Sequence, residues 1–111
     1  MILIIRDRAT PEQIEQMAET YVGLMIKLAV DIEREILAGG GELHADCEQT
    51  LLEDGSQENV WGADWYPEVR RVGFESLINI RPRQQNRSME IKNPVLKEKI
   101  ETIVRNLLEL N

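Results

Sequence analysis

Hydrophobic residues recur along the chain at two spacings, which separate predicted helices from predicted strands. A helix is predicted to begin at Thr10, which can cap free backbone N–H groups, with Pro11 at the first helical position and Gln13 completing a capping box. Asn93-Pro94 predicts the start of the last helix. The apolar stripes of these two helices are Ile14, Met17, Ala18, Tyr21 and Val22, and Leu96, Ile100, Ile103, Val104, Leu107 and Leu108.

Strand spacing appears in three other segments. Ile2–Ile5 is a short β-branched run typical of a strand buried on both faces. Residues 60–66 place Trp61 and Trp65 on one face of a strand that ends at Pro67. Alternating apolar and polar residues predict a further strand over 72–80.

The segment from Leu24 to Ala38 fits two structures. Apolar residues alternate with polar ones from Leu24 to Ile32, as in a strand, but Leu24, Leu28, Ile32 and Ile36 are also four apart, as in a helix. No capping residue after Gly23 could start a second helix. A hairpin is therefore preferred, with strands 25–32 and 36–43 around a turn at 33–35, although this turn contains no Gly or Asn.

A short helix is predicted over 46–54, with Asp46 as its N-cap and Gly55 as its stop. The predicted order is therefore β-α-β-β-α-β-β-α. This order indicates an α+β two-layer sandwich with a ferredoxin-like core, an added strand and a C-terminal helix. The 111 residues predict a single domain over 1–111.

Charge is unevenly distributed along this acidic chain. The net charge is −7; residues 31–68 contribute −10, whereas residues 70–92 contribute +4. The acidic balance argues against nucleic-acid and anionic-membrane partners. The basic stretch predicts a solvated face, an anion-binding patch or a contact in a homodimer. One cysteine and no long apolar run predict a soluble cytoplasmic protein.

Most of the candidate chemistry lies in residues 39–48, which hold three glycines, the only histidine and the only cysteine. His44 can act as a general acid or base supported by Glu42 and Asp46, or it can hydrogen-bond a backbone carbonyl. On a strand, Glu42, His44, Asp46 and Glu48 would share a face and could bind a divalent cation. The spacing matches no strong ligand motif, so no metal and no cofactor is predicted. Thiol chemistry at Cys47 is disfavoured, because a free cysteine is usually a small buried hydrophobe.

A polar loop after the last predicted strand supplies the candidate ligand-binding residues. Arg81 and Arg87 can donate to a carboxylate or phosphate, or can pair with the acidic stretch instead. Asn86 and Trp61 are added as ligand contacts, although a tryptophan in so small a domain is usually core. Two functions follow: a small binding or regulatory module that recognises an anionic ligand or a partner protein, or an enzyme that uses His44 on a substrate held by Arg81 and Arg87.

Several motifs resemble those of a family of short bacterial proteins that is a domain of unknown function. These motifs are GGELHAD at 40–46, LLEDGS at 51–56, WG at 61–62, SLINIRP at 76–82 and NRS at 86–88. The similarity extends over about residues 2–108. It implies no particular activity, and it favours the hairpin because relatives place a glycine near Glu35.

Overall fold

The predicted elements occur in the predicted order in the computed structural model, which describes residues 1–110. The strands are β1 (Leu3–Ile5), β2 (Ile26–Asp31), β3 (Ile36–Gly39), β4 (Val60–Tyr66) and β5 (Arg71–Gly73). The helices are α1 (Pro11–Ala18), α2 (His44–Glu53) and α3 (Pro94–Leu108), with 3₁₀ turns at Glu19–Tyr21, Leu77–Asn79 and Pro82–Gln84. Within residues 1–110, no helix has the length and apolar character needed to cross a membrane.

All five strands form one antiparallel sheet in the order β1-β3-β2-β4-β5. The α+β class is confirmed, and β3 lies between β1 and β2 as the split βαβ arrangement requires. The fourth strand departs from a ferredoxin-like sheet, because β4 pairs with β2 and not with the free edge of β1.

Helices cover both faces of the sheet, which corrects the predicted two-layer arrangement. The first face carries Ile26, Leu28 and Val30 and packs against α1 and α3 in the main core. The second face carries Ala29 and Ala38 and packs against Cys47 and Leu51 of α2. Small or apolar residues occur on both faces of the central strands, both faces are covered by helices, and the result is three layers.

The segment 25–38, for which the sequence allowed a strand pair or a helix, is a hairpin. A buried aspartate explains how it turns without Gly or Asn. Asp31 Oδ1 accepts the N–H groups of Glu33 (2.9 Å) and Arg34 (3.0 Å), while Oδ2 accepts the hydroxyl of Ser56 (2.6 Å). This side-chain-to-backbone pattern supports the turn, and Glu35 takes the left-handed φ of 56° that glycine normally supplies. The second strand ends at Gly39 and not at 43.

The strand predicted over 72–80 is shorter than its alternation suggests. Strand β5 ends at Gly73, and Ser76 caps a 3₁₀ turn by accepting the Ile78 N–H (3.2 Å). Beyond β5, the buried Asn79 side chain takes the place of a strand: its Oδ1 accepts the Gly62 N–H (2.8 Å), and its Nδ2 donates to the Gly62 carbonyl (3.0 Å). One amide therefore satisfies the edge of β4 that a longer β5 would have paired.

We expect Asp31→Ala to destabilise the fold by about 2–4 kcal/mol, because it leaves two backbone N–H groups, the Ser56 hydroxyl and the Arg34 guanidinium without their shared acceptor. Urea unfolding at pH 7 measures this. Glu33→Ala is the matched control: it removes an exposed carboxylate from the same turn and should change the unfolding free energy by less than about 0.5 kcal/mol. Equal losses in the two variants would contradict the role of Asp31.

The loss from Asp31→Ala should depend on pH. Burial raises the Asp31 pKa, but the Arg34 N–H, the Ser56 hydroxyl, the Glu33 N–H and the Arg34 charge together lower that pKa below its ordinary value. A carboxylate with a lower pKa in the folded state stabilises the fold above its unfolded pKa, about 3.9, and loses this contribution as the pH falls through the folded value. The difference between wild type and variant should be full at pH 7 and shrink below about pH 4; a constant difference would contradict the prediction.

Candidate functional site

The glycine segment after β3 carries the chain to the second face of the sheet. Gly40 has a φ of 104°, and a Cβ at this position would collide with the Met1 carbonyl oxygen. The 3₁₀ turn after α1 holds the segment in place: Thr20 Oγ1 donates to the Gly40 carbonyl (2.7 Å), and the Tyr21 hydroxyl donates to the Glu42 carbonyl (2.5 Å). This close backbone approach, which a side chain at residue 40 would prevent, places the start of α2 beside the sheet.

His44 is the first residue of α2 and lies against Asp64 of β4. Its Nε2 is 2.7 Å from Asp64 Oδ1, and the two side chains are only 12% and 10% exposed. A carboxylate accepts, so Nε2 carries the proton and Nδ1 of the neutral ring is left with a free lone pair. Nδ1 has no hydrogen-bond partner in residues 1–110 and is not among the buried unpaired atoms, so it reaches the surface.

The His44–Asp64 pair lies in a cleft of about 690 Å³ on the second face of the sheet. This volume is in the range of small-molecule sites, roughly 300–1,000 Å³. Its polar lining includes Lys27, His44, Asp64, Tyr66, Arg71 and Glu75. Its apolar lining includes Leu43, Val72, Phe74, Leu77, Ile78 and Met89.

Two cations line this cleft, and aromatic rings hold both. Lys27 Nζ is 5.1 Å from the Tyr21 ring centre, and the Arg71 guanidinium carbon is 4.7 Å from that of Tyr66. Lys27 is opposite Asp64 in the β2–β4 register, so both side chains are on one face, yet they form no ion pair, and Asp64 is bonded to His44 instead. Both cations keep their N–H donors free of any carboxylate within residues 1–110.

The two carboxylates predicted to support His44 are not beside it. Glu42 is exposed ahead of the helix, and Asp46 is exposed in its first turn. The predicted Asp46 cap is wrong, since the N-cap is Leu43, whose side chain cannot accept a hydrogen bond. Because the helix starts at His44, Glu42, His44, Asp46 and Glu48 do not form one row. Within residues 1–110, no group of three or more His, Cys, Asp or Glu side chains could hold a metal ion.

Arg81 holds its loop down and does not enter the cleft of His44. Its guanidinium donates to Glu48 Oε2 (2.6 Å), to the Glu58 carbonyl (2.6 Å) and to the Ile78 carbonyl (2.9 Å). It borders a separate depression beside α2. This is the pairing with the acidic stretch that the sequence left open as an alternative. Arg87 is exposed and does not line the cleft.

Asn86 and Trp61 also have structural surroundings. Asn86 is 4% exposed, and its Nδ2 donates to the carbonyls of Asn79, Ser88 and Glu90. Trp61 is 3% exposed within the main core, with Arg81 against its ring. The amide and the indole therefore fix the loop and the core and are not open to a ligand in the cleft.

Cys47 is unsuited to nucleophilic chemistry. Burial raises the pKa of its thiol to about 11, and Sγ is 3.5 Å from the Lys27 carbonyl, to which it donates. The thiol packs between α2 and the sheet as a small apolar group, as expected.

Sequence reasoning missed Asp64 and Lys27. Both occur at polar positions of strands whose other face is apolar, and such positions usually face solvent. The available signal was that Lys27 and Asp64 fall on the same side of their strands as Ala29 and Gly62, small residues that leave space for a covering helix. Their proximity depended on the pairing of β2 with β4, which the linear sequence does not state.

Fold and cleft together define a small three-layer α+β domain with one histidine–aspartate pair in a ligand-sized cleft. The chain belongs to the family described as "Protein of unknown function (DUF5674)", whose model matches residues 3–107. This confirms the family resemblance. No curated protein matches the chain. No solved structure matches it either.

We expect Arg81→Ala to destabilise the fold by about 1.5–3 kcal/mol, because Glu48 loses its partner and two carbonyls lose a charged donor. Arg87→Ala is the matched control and should stay within about 0.5 kcal/mol of wild type. Thermal and urea unfolding measure both. A stable Arg81→Ala variant would contradict the structural role assigned to this arginine.

The His44–Asp64 hydrogen bond should be visible directly, because the chain contains a single histidine. A ring N–H bonded to a largely buried carboxylate exchanges slowly with water and should give a distinct downfield proton resonance at low temperature. Asp64→Leu removes the acceptor and should abolish the resonance while near-ultraviolet circular dichroism stays native. A wild-type spectrum lacking the resonance, like that of the variant, would contradict the pair.

Proposed function

We propose that this chain binds a small molecule in the cleft and that His44, oriented by Asp64, exchanges a proton with it. The observation that carries the proposal is the His44 ring: one nitrogen is bonded to Asp64 at 2.7 Å, the other has no partner within residues 1–110, and the residue lines the cleft. A carboxylate that fixes the tautomer and stabilises the imidazolium is the usual support of a histidine general base.

The environment of the pair favours proton transfer. His44 is only 12% exposed, so its orientation is restricted by packing. Asp64 is the carboxylate bonded to it, and the apolar lining of the cleft reduces the water that would compete for Nδ1. General acid–base catalysis by a positioned side chain contributes roughly 10²–10⁴-fold in rate.

The test follows proton transfer without assuming a substrate. Wild-type protein is incubated in D₂O with a panel of small carbonyl compounds and esters, and mass spectrometry detects deuterium incorporation or cleavage. We expect turnover of at least one compound, and His44→Gln should reduce it by about 10²–10⁴-fold. Asp46→Asn alters an exposed carboxylate outside the cleft on the same helix and should retain wild-type turnover.

A second function, ligand binding without chemistry, is favoured because the described cleft residues offer no free serine or cysteine nucleophile. The Cys47 thiol is buried, and Ser76 Oγ accepts a backbone N–H and packs against Gly62. A binding or regulatory module is the corresponding biological role. Compounds that bind the cleft of the wild type and of His44→Gln equally, with no turnover by either, would support this function and contradict catalysis.

A further inference from the structure

We infer that the ligand of this cleft is a small monocarboxylic acid with an apolar body, its carboxylate held by Lys27 and Arg71. This inference rests on the proposed function, since it names the class of molecule that the same cleft would take. It is carried by three features of the cleft: two cations without a carboxylate partner, an aspartate already hydrogen-bonded to His44, and an apolar wall.

The cations are positioned but not paired. Lys27 and Arg71 are each stacked on a tyrosine ring, which fixes them without using their N–H donors. Six other cations form ion pairs: Arg6 and Arg34 with Asp54, Arg70 and Arg105 with Glu109, Arg81 with Glu48, and Lys92 with Glu90. In this acidic chain, two cations left free in one cleft indicate a site for a carboxylate brought by the ligand.

The remaining charges decide between a monoanion and a dianion. Asp64 is hydrogen-bonded to His44 at 2.7 Å, and Glu90 pairs with Lys92 at 3.0 Å. Glu75 lines the same wall and is exposed. Two cations beside the carboxylates of Asp64 and Glu75 favour a ligand with a single negative charge, because a phosphate dianion would be repelled more strongly by these two carboxylates.

The lining of the cleft fits the apolar body of such a ligand. Gly73 is paired opposite Asp64 and lets the Tyr66 and Asp64 side chains approach closely, since a Cβ there would be 3.3 Å from Tyr66 Cε2 and 3.4 Å from Asp64 Oδ2. Above it, Leu77 is 71% exposed, Leu43 is 58% exposed and Met89 is 42% exposed, all at the cleft. Large apolar side chains left exposed around one concavity mark a surface that an apolar ligand would cover.

The test compares probes that differ in one property at a time. The imidazole resonance of His44 and the backbone amide spectrum are followed as the full chain is titrated with phenylacetate, 4-methylpentanoate, phenylacetamide, acetate and phenyl phosphate. We expect one of the two apolar carboxylates to bind at least about 10-fold more tightly than phenylacetamide, which lacks the charge, than acetate, which lacks the body, and than phenyl phosphate, a dianion; a 10-fold difference corresponds to about 1.4 kcal/mol.

Variants test whether Lys27 and Arg71 contact the carboxylate of the ligand. Lys27→Met and Arg71→Met keep an apolar stem and should each weaken the carboxylate about 10-fold without changing the affinity for phenylacetamide. Lys99→Met on α3 lies outside the cleft and should leave both affinities unchanged. Because the readout is binding, a loss confined to the charged probe cannot be attributed to unfolding.

Two kinds of result would overturn the inference. If phenylacetamide or phenyl phosphate perturbs His44 as strongly as the carboxylates, or if Lys27→Met and Arg71→Met bind normally, the ligand class is wrong while the cleft remains a binding site. If no carboxylate binds up to about 10 mM, the class is likewise overturned. The proposed function fails separately, when no compound of the D₂O panel is turned over or bound.

Discussion

The close packing of α2 on the second face of the sheet is the constraint on which the site depends. That face is lined by Ala29, Ala38 and Gly62, small residues that are neighbours across three strands. Their size allows Cys47 and Leu51 to reach the sheet and close a second core. His44, at the N-terminal end of this helix, is thereby placed against Asp64. The cleft begins at this end of the helix.

Polar side chains replace missing backbone hydrogen-bond partners at the hairpin turn and at the edge of the sheet. Asp31 supports a hairpin turn without glycine, and Asn79 satisfies the edge of β4 where β5 stops. Asn86 then anchors the returning loop through Asn79. All three are buried, and an unpaired buried polar group costs about 1–3 kcal/mol, so each stabilises its loop; the loop held by Asn79 and Asn86 also forms one wall of the cleft.

The charged residues at the cleft are not the ones that the acidic stretch 31–68 and the basic stretch 70–92 suggested. The basic turn after the sheet was expected to bring its arginines to the histidine. Arg81 instead binds Glu48, one helical turn beyond His44, and completes its donors on backbone carbonyls. The cations that reach the cleft come from β2 and β5 and are held by tyrosines. Stacking on a ring orients a cation and leaves its charge available, whereas pairing with a carboxylate neutralises it.

The sequence by itself determined the local structure of this protein. The capping box at Thr10, the Asn93-Pro94 start of α3, the apolar stripes and the element order were all readable, because caps and periodicity act within a few residues. The sequence predicted too long a strand over 72–80, since alternation of apolar and polar residues cannot reveal that the Asn79 side chain pairs with the edge of β4. Only the tertiary structure decided that α2 covers the second face, that Asp64 and not Glu42 or Asp46 meets His44, and that Lys27 faces the same cleft. These contacts join residues about 20 or more positions apart through strand pairing and layer packing, and no short-range pattern encodes them.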